Sequence, residues 1–404
     1  MRVLLAHNNY SIKGGADVFV HEVARVIQQH GHEVAFLAGY EDGVQSEWQD
    51  YFPKVVDYTH HKFAAVLRFP KLVYSHESRI AARNLIRDFK PDLAHCFSIY
   101  TKLTPSILDE FKAARIPVVS SLNDYKHICP NYKLFHHGKV CEACQGRHFG
   151  HAIRNRCAHE SLVLSTAVAV EAYVHRFLDI YRKNIDLFLF SSEFMARKTE
   201  EFWGAESFRL RLLRNPFDST RFKMSEHVGN YALYFGRHIE EKGVDVLLRA
   251  AAIASDVPVY VVGDGPSRGD LENQARALNL TNVKFLGEKW GKDMDRIIEE
   301  SRFVVVPSLW HENFPYVVLQ AFAMGKPVIG ANRGGIPELI QNGERGYVYD
   351  AINPSQLAAH MNALGTSDAD VYRMARNAKK YADAEFNDGQ FYTRLEKIYS
   401  EVLA

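Results

Sequence analysis

The sequence predicts an α/β protein with two doubly wound parallel sheets, and three observations support this prediction. Short apolar runs such as residues 2–6 alternate with segments of helical spacing such as residues 17–30. The alternation begins again after Pro216, with a first apolar run at 231–235. The chain of 404 residues is also longer than one ordinary domain. Because such alternation is typical of parallel sheets covered on both faces, each half should form a Rossmann-like domain.

In the first half, the predicted strands end where polar residues begin. The elements are strands at 2–6, 33–37, 92–97, 117–122, 187–191 and 210–213, and helices at 17–30 and 160–182. The alternation fails between residues 124 and 156, a segment rich in His, Lys, Asn, Gly and Cys. We therefore predict an N-terminal domain at 1–214 that contains a Cys-rich insertion at 124–157.

The second half repeats the scheme more regularly. Its strands are predicted at 231–235, 258–262, 283–286, 303–306, 327–330 and 347–349, and its helices at 244–254, 271–278 and 388–403. Asn215-Pro216 marks the boundary, because the residue before proline is disfavoured in helices. The C-terminal domain is then 215–387, followed by a final helix at 388–404. Since such sheets bind ligands beyond the carboxyl ends of their strands, two domains facing each other would form one cleft.

Charge and cysteine content restrict the function classes. A formal net charge of +1 without an extended basic patch argues against nucleic-acid binding. The start of the chain, MRVLLAHNNY, is typical of a buried strand rather than a secretory signal, and no apolar run is long enough to span a membrane. Five cysteines without an export signal favour a reducing compartment. We therefore expect a cytoplasmic protein.

Gly14 and Gly15 follow the first predicted strand and open the first helix. Glycines at this position let the backbone approach a phosphate or a sugar, and a helix N-terminus favours an anion. The segment does not match GxGxxG, which disfavours classical dinucleotide binding. The alternative is a tight strand-to-helix turn without a ligand.

The segment YFGRHIEEKGVDVLL places two cations after a strand. Arg237 lies just past the strand end, and Lys242 lies before the next helix. Arg offers a planar fork and Lys a point charge, so the two could clamp a diphosphate. The alternative is a pair of ordinary surface cations.

The segment VVVPSLWHENFPYVVLQAFAMGKPVIGANRGGIPELI suggests an anion site at a helix start. Glu312 lies in the loop after a buried strand, and Pro315 occupies the predicted first helical position. The amides of Tyr316 and Val317 would then suit an oxyanion, and Gln320 would share the face of Tyr316. Alternatively, Glu312 is a carboxylate that interacts with the helix dipole.

Four motifs, GRHIEEKG, the Gly263-Asp264-Gly265 turn, HENFPYVVLQAFAMGKPVI and GGIPE, occur in this order. Together they resemble the C-terminal domain of family-4 retaining glycosyltransferases with the GT-B fold. The resemblance covers the whole chain, since Gly14-Gly15 and the final helix also fit. It implies two Rossmann-like domains that face each other across a cleft, with the last helix crossing back to the first domain.

The resemblance also implies roles for particular residues. Arg237 and Lys242 would neutralise the leaving nucleotide diphosphate, and Glu312 would contact the donor sugar. Position 320 would hold the ribose, and the glycine pair would approach the donor from the first domain. Gly263, Phe314, Tyr316 and Val317 lie in the same motifs and are assigned to the substrate site.

The chain departs from the family pattern at two places. The second acidic residue of the motif is Gln320 here, whose amide can bond ribose hydroxyls only without charge assistance. Where relatives often carry a His, this chain has Asn123 and Asp124. Asn123 could bond a hydroxyl and Asp124 could recognise the acceptor, or the pair could form an Asx-capped turn.

The implied reaction is a hexosyl transfer with retention, without a protein nucleophile and without a metal for the transfer itself. The donor would be a UDP- or GDP-sugar, and the acceptor a glycan or a lipid-linked glycan in cell-surface polysaccharide or glycoconjugate synthesis. One alternative is a sugar-nucleotide 2-epimerase of the same architecture, which would need acid/base carboxylates and histidines in the cleft. Another is a non-enzymatic zinc-containing binding protein.

The insertion contains Cys129, Cys141, Cys144 and Cys157, with one C-x2-C pair. Four thiols in a long loop suggest a structural zinc site. Reduced thiols and a disulfide or redox pair are the alternatives. Nearby histidines could replace a cysteine ligand: His127, His136, His137, His148 and His151.

Two segments of the first domain mix basic and aromatic residues. They are HHKFAAVLRFPKLVYSHESR at 60–79 and RHFGHAIRNR at 147–156. Such a composition suits peripheral contact with the inner face of a membrane that carries a lipid-linked acceptor. Ordinary amphipathic helices with solvated Lys and Arg are the alternative.

Overall fold

The computed structural model describes residues 1–54, 71, 73–100, 102–225 and 227–404, and elements are numbered along these residues. The strands are β1 (Arg2–Ala6), β2 (Glu33–Leu37), β3 (Leu93–Cys96), β4 (Val118–Leu122), β5 (Phe135–His136), β6 (Lys139–Val140), β7 (Leu187–Phe190), β8 (Leu210–Leu212), β9 (Ala232–Phe235), β10 (Val259–Val262), β11 (Val283–Gly287), β12 (Phe303–Val306), β13 (Val328–Ala331) and β14 (Gly346–Tyr349).

The α-helices of the described residues alternate with these strands. They are α1 (Gly15–Gln29), α2 (His76–Phe89), α3 (Ile107–Ala113), α4 (Gly150–Arg154), α5 (Leu162–Leu178), α6 (Glu193–Trp203), α7 (Val244–Ile253), α8 (Arg268–Ala277), α9 (Gly291–Glu299), α10 (Tyr316–Ala323), α11 (Ile336–Ile340), α12 (Pro354–Thr366), α13 (Asp368–Glu385) and α14 (Asp388–Leu403).

The chain divides into two compact units. The first comprises Met1–Leu134, Glu142–Pro216 and Phe391–Ala404, and the second comprises Phe135–Cys141 and Phe217–Gln390. The sheet of the first unit has the order β2-β1-β3-β4-β7-β8, and that of the second has the order β11-β10-β9-β12-β13-β14. All neighbouring strands in both sheets are parallel. Each unit is therefore a doubly wound α/β unit of the predicted type.

Each sheet has an apolar layer on both faces, because successive strand residues point to opposite sides. In β1, Val3 and Leu5 pack in one layer with helix α1, whereas Leu4 packs in the other with helices α2 and α3. In the second unit, Ala232 and Leu233 of β9 likewise belong to different layers. This two-sided burial explains why the strands are short and almost wholly apolar.

The last helix, α14, packs its C-terminal part into the core of the first unit. Its residues Leu395 and Tyr399 share the apolar layer of Val3. The hydroxyl of Tyr399 lies 2.8 Å from Nδ1 of His95 on β3, and both side chains are buried. Burial lowers the pKa of His95 to about 3, so this imidazole stays neutral and the contact does not depend on charge.

The Cys-rich insertion is partly regular. Strands β5 and β6 form an antiparallel hairpin that groups with the second unit, where Phe135 joins the apolar core.

The predicted helix at 160–182 is shorter in the structure, because α5 ends at Leu178 and Asp179 adopts a left-handed conformation with φ of 50°. Of the basic and aromatic stretch at 60–79, residues 60–70 and 72 lie outside the described residues.

Candidate active site

The order of the second sheet reverses between β9 and β12. From β9 the chain runs outward through β10 and β11, and β12 then resumes on the other side of β9. Doubly wound sheets bind ligands at such a point, beyond the carboxyl ends of the strands. The loop after β9 carries Arg237 and Lys242, and the loop after β12 carries Glu312. The structure thus brings the three predicted catalytic residues to one edge of this sheet.

Two glycines let the loops at this edge pack backbone against backbone. Gly263 has a φ of +125°, and a Cβ atom there would lie 1.9 Å from the carbonyl oxygen of Gly236. Gly334 has a φ of +59°, and a Cβ atom there would lie 1.9 Å from the carbonyl oxygen of Glu312. No other residue fits either position without moving the backbone. Gly263 therefore shapes the site through close approach of the loops after β9 and β10.

The carboxylate of Glu312 is buried and paired. Its Oε1 accepts hydrogen bonds from Nζ of Lys242 at 2.6 Å and from Oγ of Ser308 at 2.7 Å. Burial alone would raise the pKa of Glu312, but the charge and the hydrogen bond of Lys242 outweigh it and lower this pKa below its usual value. Glu312 is therefore ionised at neutral pH. An interaction of Glu312 with the helix dipole, the alternative prediction, does not explain its hydrogen bonds to Lys242 and Ser308.

Lys242 is held in place from two further sides. Its ammonium lies 5.5 Å from the centre of the Trp310 ring, which is cation–π distance. The backbone carbonyl of the preceding residue, Glu241, accepts a hydrogen bond from the amide of Leu309 at 2.9 Å. The turn that carries Lys242 is thus fixed to the loop after β12. Since an ammonium has three N–H groups, its bond to Glu312 leaves donors that can face a ligand.

Arg237 differs from Lys242 in being open to solvent. Its side chain is exposed, and among the described residues its guanidinium has no hydrogen-bond or ion-pair partner. The backbone is fixed nevertheless, because the hydroxyl of Tyr234 donates to the Arg237 carbonyl at 2.9 Å. A positioned backbone with an open planar fork of donors suits a phosphate.

Helix α10 begins one residue later than predicted. Pro315 is its N-cap, with φ of −72° and ψ of 120°, and Tyr316 is the first helical residue. The prediction that Pro315 is the first helical residue is wrong, because proline fixes φ but leaves ψ free to be extended. The Pro315 carbonyl accepts a hydrogen bond from the Val318 amide at 3.1 Å. Amides of a first helical turn lack acceptors within the helix and form the positive end of its dipole, which suits an anion.

Two other residues of this segment have different environments. Gln320 is half-buried on the second turn of α10, and its side-chain amide has no hydrogen-bond partner among the described residues. It is therefore available to a ligand. Phe314 is buried and packs edge-on against Phe386 in the apolar core. The assignment of Phe314 to the substrate site stays a prediction, and in the structure its ring belongs to the core.

In the first unit, the turn at Gly14 is organised by Asp17. The Asp17 Oδ2 accepts from the amides of Lys13 at 2.9 Å and of Gly14 at 2.8 Å. Its Oδ1 lies 2.8 Å from Nε2 of His7 and accepts from Asn9 at 3.2 Å. The amide of Gly14 and that of the preceding residue are therefore already bonded to a carboxylate of the protein itself. A Cβ atom at Gly14 would meet nothing within 4 Å, so the backbone there is open on its outer side.

A second carboxylate, Glu41, holds the other end of the same loop. Its Oε2 accepts from the amide and the hydroxyl of Ser11 at 2.9 and 2.7 Å, and its Oε1 accepts from Lys13 and Lys102 at 2.5 and 2.8 Å. Burial alone would raise the pKa of Glu41, but the hydrogen bonds of Lys102, Lys13 and Ser11 lower it to about 2. Glu41 follows β2 and Lys102 follows β3, so this carboxylate joins three loops at the carboxyl edge of the first sheet.

Asn123 and Asp124 follow β4 at the same edge. The Asp124 Oδ1 accepts from the Lys126 amide at 2.9 Å, which is an Asx turn, and Oδ2 accepts from the hydroxyl of Tyr100. Burial raises the pKa of Asp124 to about 6. Asp124 therefore forms the Asx-capped turn that the sequence offered as the alternative to acceptor recognition. Asn123 is different, because its Nδ2 is buried without a hydrogen-bond partner among the described residues.

The four cysteines of the insertion are free thiols in the structure. Among the described residues, which include all five cysteines, no three His, Cys, Asp or Glu side chains form a group that could hold a metal ion, and no disulfide is present. Cys144 and Cys157 contribute to a small apolar cluster with Phe149, and the Cys129 thiol lies 2.9 Å from Oδ1 of Asn131. The zinc hypothesis for Cys129, Cys141, Cys144 and Cys157 stays a prediction.

Motifs in the sequence do not point to four residues that shape the two edges: Asp17, Glu41, Ser308 and Trp310. The role of Asp17 could have been predicted from its spacing. It lies three residues after the N-cap Gly14, where a carboxylate often accepts a hydrogen bond from the N-cap amide. Glu41 and Ser308 have no such signal, because their partners are distant in the sequence.

The fold and the loops define a class of α/β protein with two doubly wound units, the second of which carries Arg237 and Lys242 at the switch point of its sheet. Comparison with known families gives the assignment: the chain belongs to Glycosyltransferase Family 4. Residues 13–221 match the model of that family, and residues 218–381 match the model for glycosyl transferases group 1.

Individual relatives agree with this family. The chain is 31% identical over 191 residues to the D-inositol 3-phosphate glycosyltransferase of Salinispora tropica, a match that covers 44% of this chain and 39% of that one. The chain spans about half the length of the curated relatives it matches.

Solved structures show that the chain has the GT-B fold. Sucrose-phosphate synthase from Thermosynechococcus elongatus superposes with a TM-score of 0.72 at 15% identity, covering 99% of this chain and 98% of that one. HepE from Anabaena, in complex with UDP-glucose, superposes with a TM-score of 0.66 at 18% identity, covering 99% and 100%. In the part of the chain that the structure describes, no helix is both long enough and apolar enough to cross a bilayer.

Proposed function

We propose that this protein is a retaining glycosyltransferase that transfers a sugar from a UDP- or GDP-sugar to a glycan or a lipid-linked acceptor. The observation that carries the proposal is the arrangement at the switch point of the second sheet. There the pair of half-buried Lys242 and buried Glu312, the open guanidinium of Arg237 and the start of α10 lie on neighbouring loops. The family membership and the relative that binds UDP-glucose support a nucleotide-sugar donor.

In this proposal, charge stabilisation of the leaving diphosphate is the main catalytic effect. Arg237 would bond phosphate oxygens with its open fork, and Lys242 would add a point charge with the donors that Glu312 leaves unused. Because both backbones are held before the ligand arrives, little reorganisation is needed as negative charge develops. The amides of Tyr316 and Val317, in the first turn of α10, would contribute further donors.

Glu312 would orient the sugar rather than attack it. Its Oε1 is engaged by Lys242 and Ser308, which lowers the electron density available for bond formation. Its ionised state makes it a strong acceptor for a sugar hydroxyl. Gln320 would bond the ribose hydroxyls as a neutral amide. The transfer would then occur without a protein nucleophile and without a metal for this step.

The first unit would hold the acceptor. The buried, unsatisfied Nδ2 of Asn123 supports this, because a buried donor without a partner is costly and a substrate hydroxyl would satisfy it. The proposed place of action is the cytoplasm, as the cysteine content of a chain without an export signal favours a reducing compartment. The epimerase alternative is less well supported, since the oxygens of Asp17 are already used by loop amides, Asn9 and His7.

The test is a thermal-shift screen with nucleoside diphosphates, followed by transfer assays with the sugar nucleotides of any base that binds. Ligand binding should raise the melting temperature by mass action, and NMR of the product should show the donor's anomeric configuration. Inversion would refute the retaining mechanism. Epimerised sugar nucleotide in the absence of an acceptor would favour the epimerase, and no shift with any nucleoside diphosphate would exclude both enzymes.

A further inference from the structure

Helix α5, which lies wholly within the described residues, has an inverted distribution of polar and apolar side chains. Its exposed residues are Leu162, Val163, Thr166, Val170, Tyr173 and Phe177. None of these is charged, and Phe177 and Val163 are 89% and 57% exposed. A surface helix of a globular protein usually turns its charged face to solvent and its apolar face to the core. The outer face of α5 is thus unlike that of an ordinary surface helix.

The rotation of α5 is fixed by polar bonds on its inner face. Glu171 is buried and accepts a hydrogen bond from Nζ of Lys126 at 2.7 Å. His175 is also buried, with Nε2 2.7 Å from the carbonyl oxygen of Val73. Turning the apolar face inward would break both contacts and expose the polar face. The outward position of the apolar residues is therefore part of the folded arrangement.

The six exposed residues form one narrow stripe. At about 100° per residue, positions 162, 163, 166, 170, 173 and 177 fall within an arc of roughly 100°. At 1.5 Å per residue, the stripe is about 22 Å long. This is the shape of a helix that lies in a membrane interface with its apolar side immersed.

Basic residues lie next to this apolar stripe. The segment 147–160 contains three Arg and one Glu, and Arg154 and Arg156 are exposed. Helix α4 in this segment packs on α5, and the amide of Gly150 donates to the hydroxyl of Tyr173 at 3.0 Å. The positive charge therefore begins beside the stripe. An apolar stripe with adjacent Arg is complementary to an anionic lipid surface, which offers both an acyl region and negative headgroups.

We propose that the exposed face of α5, with Arg154 and Arg156, is a docking surface for an anionic bilayer. Val163, Val170 and Phe177 enter the acyl boundary, and the arginines contact the headgroups. This docking would bring the first unit to the surface on which a lipid-linked acceptor resides. It is independent of the donor chemistry, and it holds or fails whether or not the transfer reaction is as proposed above.

Co-sedimentation of the full chain with phosphatidylcholine vesicles, with and without phosphatidylglycerol, tests the docking surface. We expect binding to the anionic vesicles at low salt and weaker binding at high salt. Val163→Ser with Phe177→Ser should lower partitioning about tenfold or more, because apolar area is lost. Arg154→Gln should lower it about fivefold on anionic vesicles only. The matched controls are Trp290→Ser, which removes a 79% exposed ring from the second unit, and Arg296→Gln.

Each result decides the proposal. All variants should keep the melting temperature and the nucleotide response of the parent, since the altered side chains are exposed. The proposal is overturned if the parent does not bind anionic vesicles at low salt, or if the stripe variant binds as the parent does. It is also overturned if the parent dimerises in solution and the stripe variant does not, because the occupant of the stripe is then a second copy of the chain.

Discussion

Nζ of Lys242 lies 2.6 Å from Oε1 of Glu312, and this bond joins two residues that are 70 positions apart in the sequence. The ammonium lies at the end of the loop after β9, and the carboxylate lies in the loop after β12. Lys242 compensates the negative charge of buried Glu312, because an unpaired charge at that position would be costly. The pair therefore combines a structural role with the proposed catalytic one, and the two roles can be separated experimentally.

Lys242→Met should lower turnover at least ~10²-fold, the usual scale for the loss of one preorganised charge donor. It should also destabilise the protein by about 3 kcal/mol, because Glu312 is left buried without its cation. Turnover and the free energy of unfolding in urea measure the two effects.

The double variant Lys242→Met with Glu312→Gln is the matched control for that experiment. Removal of both charges should restore most of the stability but none of the activity. If the double variant recovers turnover along with stability, Lys242 is only a structural partner of Glu312 and the diphosphate role is wrong.

Arg237→Gln should lower turnover without lowering the stability of the protein. The guanidinium is exposed and has no partner among the described residues, so the melting temperature should change little. Turnover should fall at least ~10²-fold if the fork bonds the leaving diphosphate. Arg296→Gln is a suitable control, since Arg296 is exposed on α9 of the same unit and forms an ion pair with Glu300, the residue that caps this helix. Equal activity of the two variants would contradict the clamp.

The sequence predicts the positions of these residues well but not their contacts. Arg237, Lys242 and Glu312 could be placed near one sheet edge because buried strands end shortly before them and parallel strands share a carboxyl edge. The pairing of Lys242 with Glu312 could not be predicted, because it depends on the order in which strands β9 and β12 lie in the sheet. The same holds for Glu41, whose partner Lys102 is 61 residues away.

Local ambiguity limits other predictions. The φ of proline fits both an N-cap and a first helical position. The sequence alone therefore does not decide whether α10 begins at Pro315 or at the next residue. An aromatic residue in such a motif can contact a substrate or fill the core, and the sequence does not distinguish the two for Phe314, whose ring packs against Phe386. Helix α13 lies outside the predicted elements, although the spacing of its buried residues Val371, Met374, Ala375 and Ala378 is helical.

The low pKa of Glu41 predicts a pH-dependent contribution to stability. Its pKa is about 2 in the folded protein and 4.5 ordinarily, so the folded state favours the ionised form. The stabilisation is complete above about pH 4.5 and is lost as the pH falls from 4.5 towards 2. Glu41→Gln should therefore lower the free energy of unfolding by about 2 kcal/mol at pH 7, and the difference from the parent should shrink over that acidic range.

Urea unfolding at several pH values measures this difference. Glu47→Gln provides the control, because Glu47 is an exposed carboxylate six residues later with no hydrogen bond to the described residues. This control should change stability by less than about 0.5 kcal/mol at every pH. A Glu41→Gln effect that stays constant down to pH 2 would show that the carboxylate does not hold the loop through its charge.

Gln320→Glu tests the departure from the family pattern at the proposed ribose contact. Gln320 is half-buried one turn after Tyr316, and its side chain has no partner among the described residues, so a carboxylate can be introduced without breaking a bond. A hydrogen bond from a ribose hydroxyl to a carboxylate is about twice as strong as one to a neutral amide. We therefore expect nucleoside diphosphate affinity, measured by calorimetry, to rise by up to about tenfold.

Gln390→Glu, which adds the same charge at an exposed position of the second unit, should leave affinity unchanged. Weaker binding in Gln320→Glu alone would place the negatively charged phosphates, rather than the ribose, beside position 320.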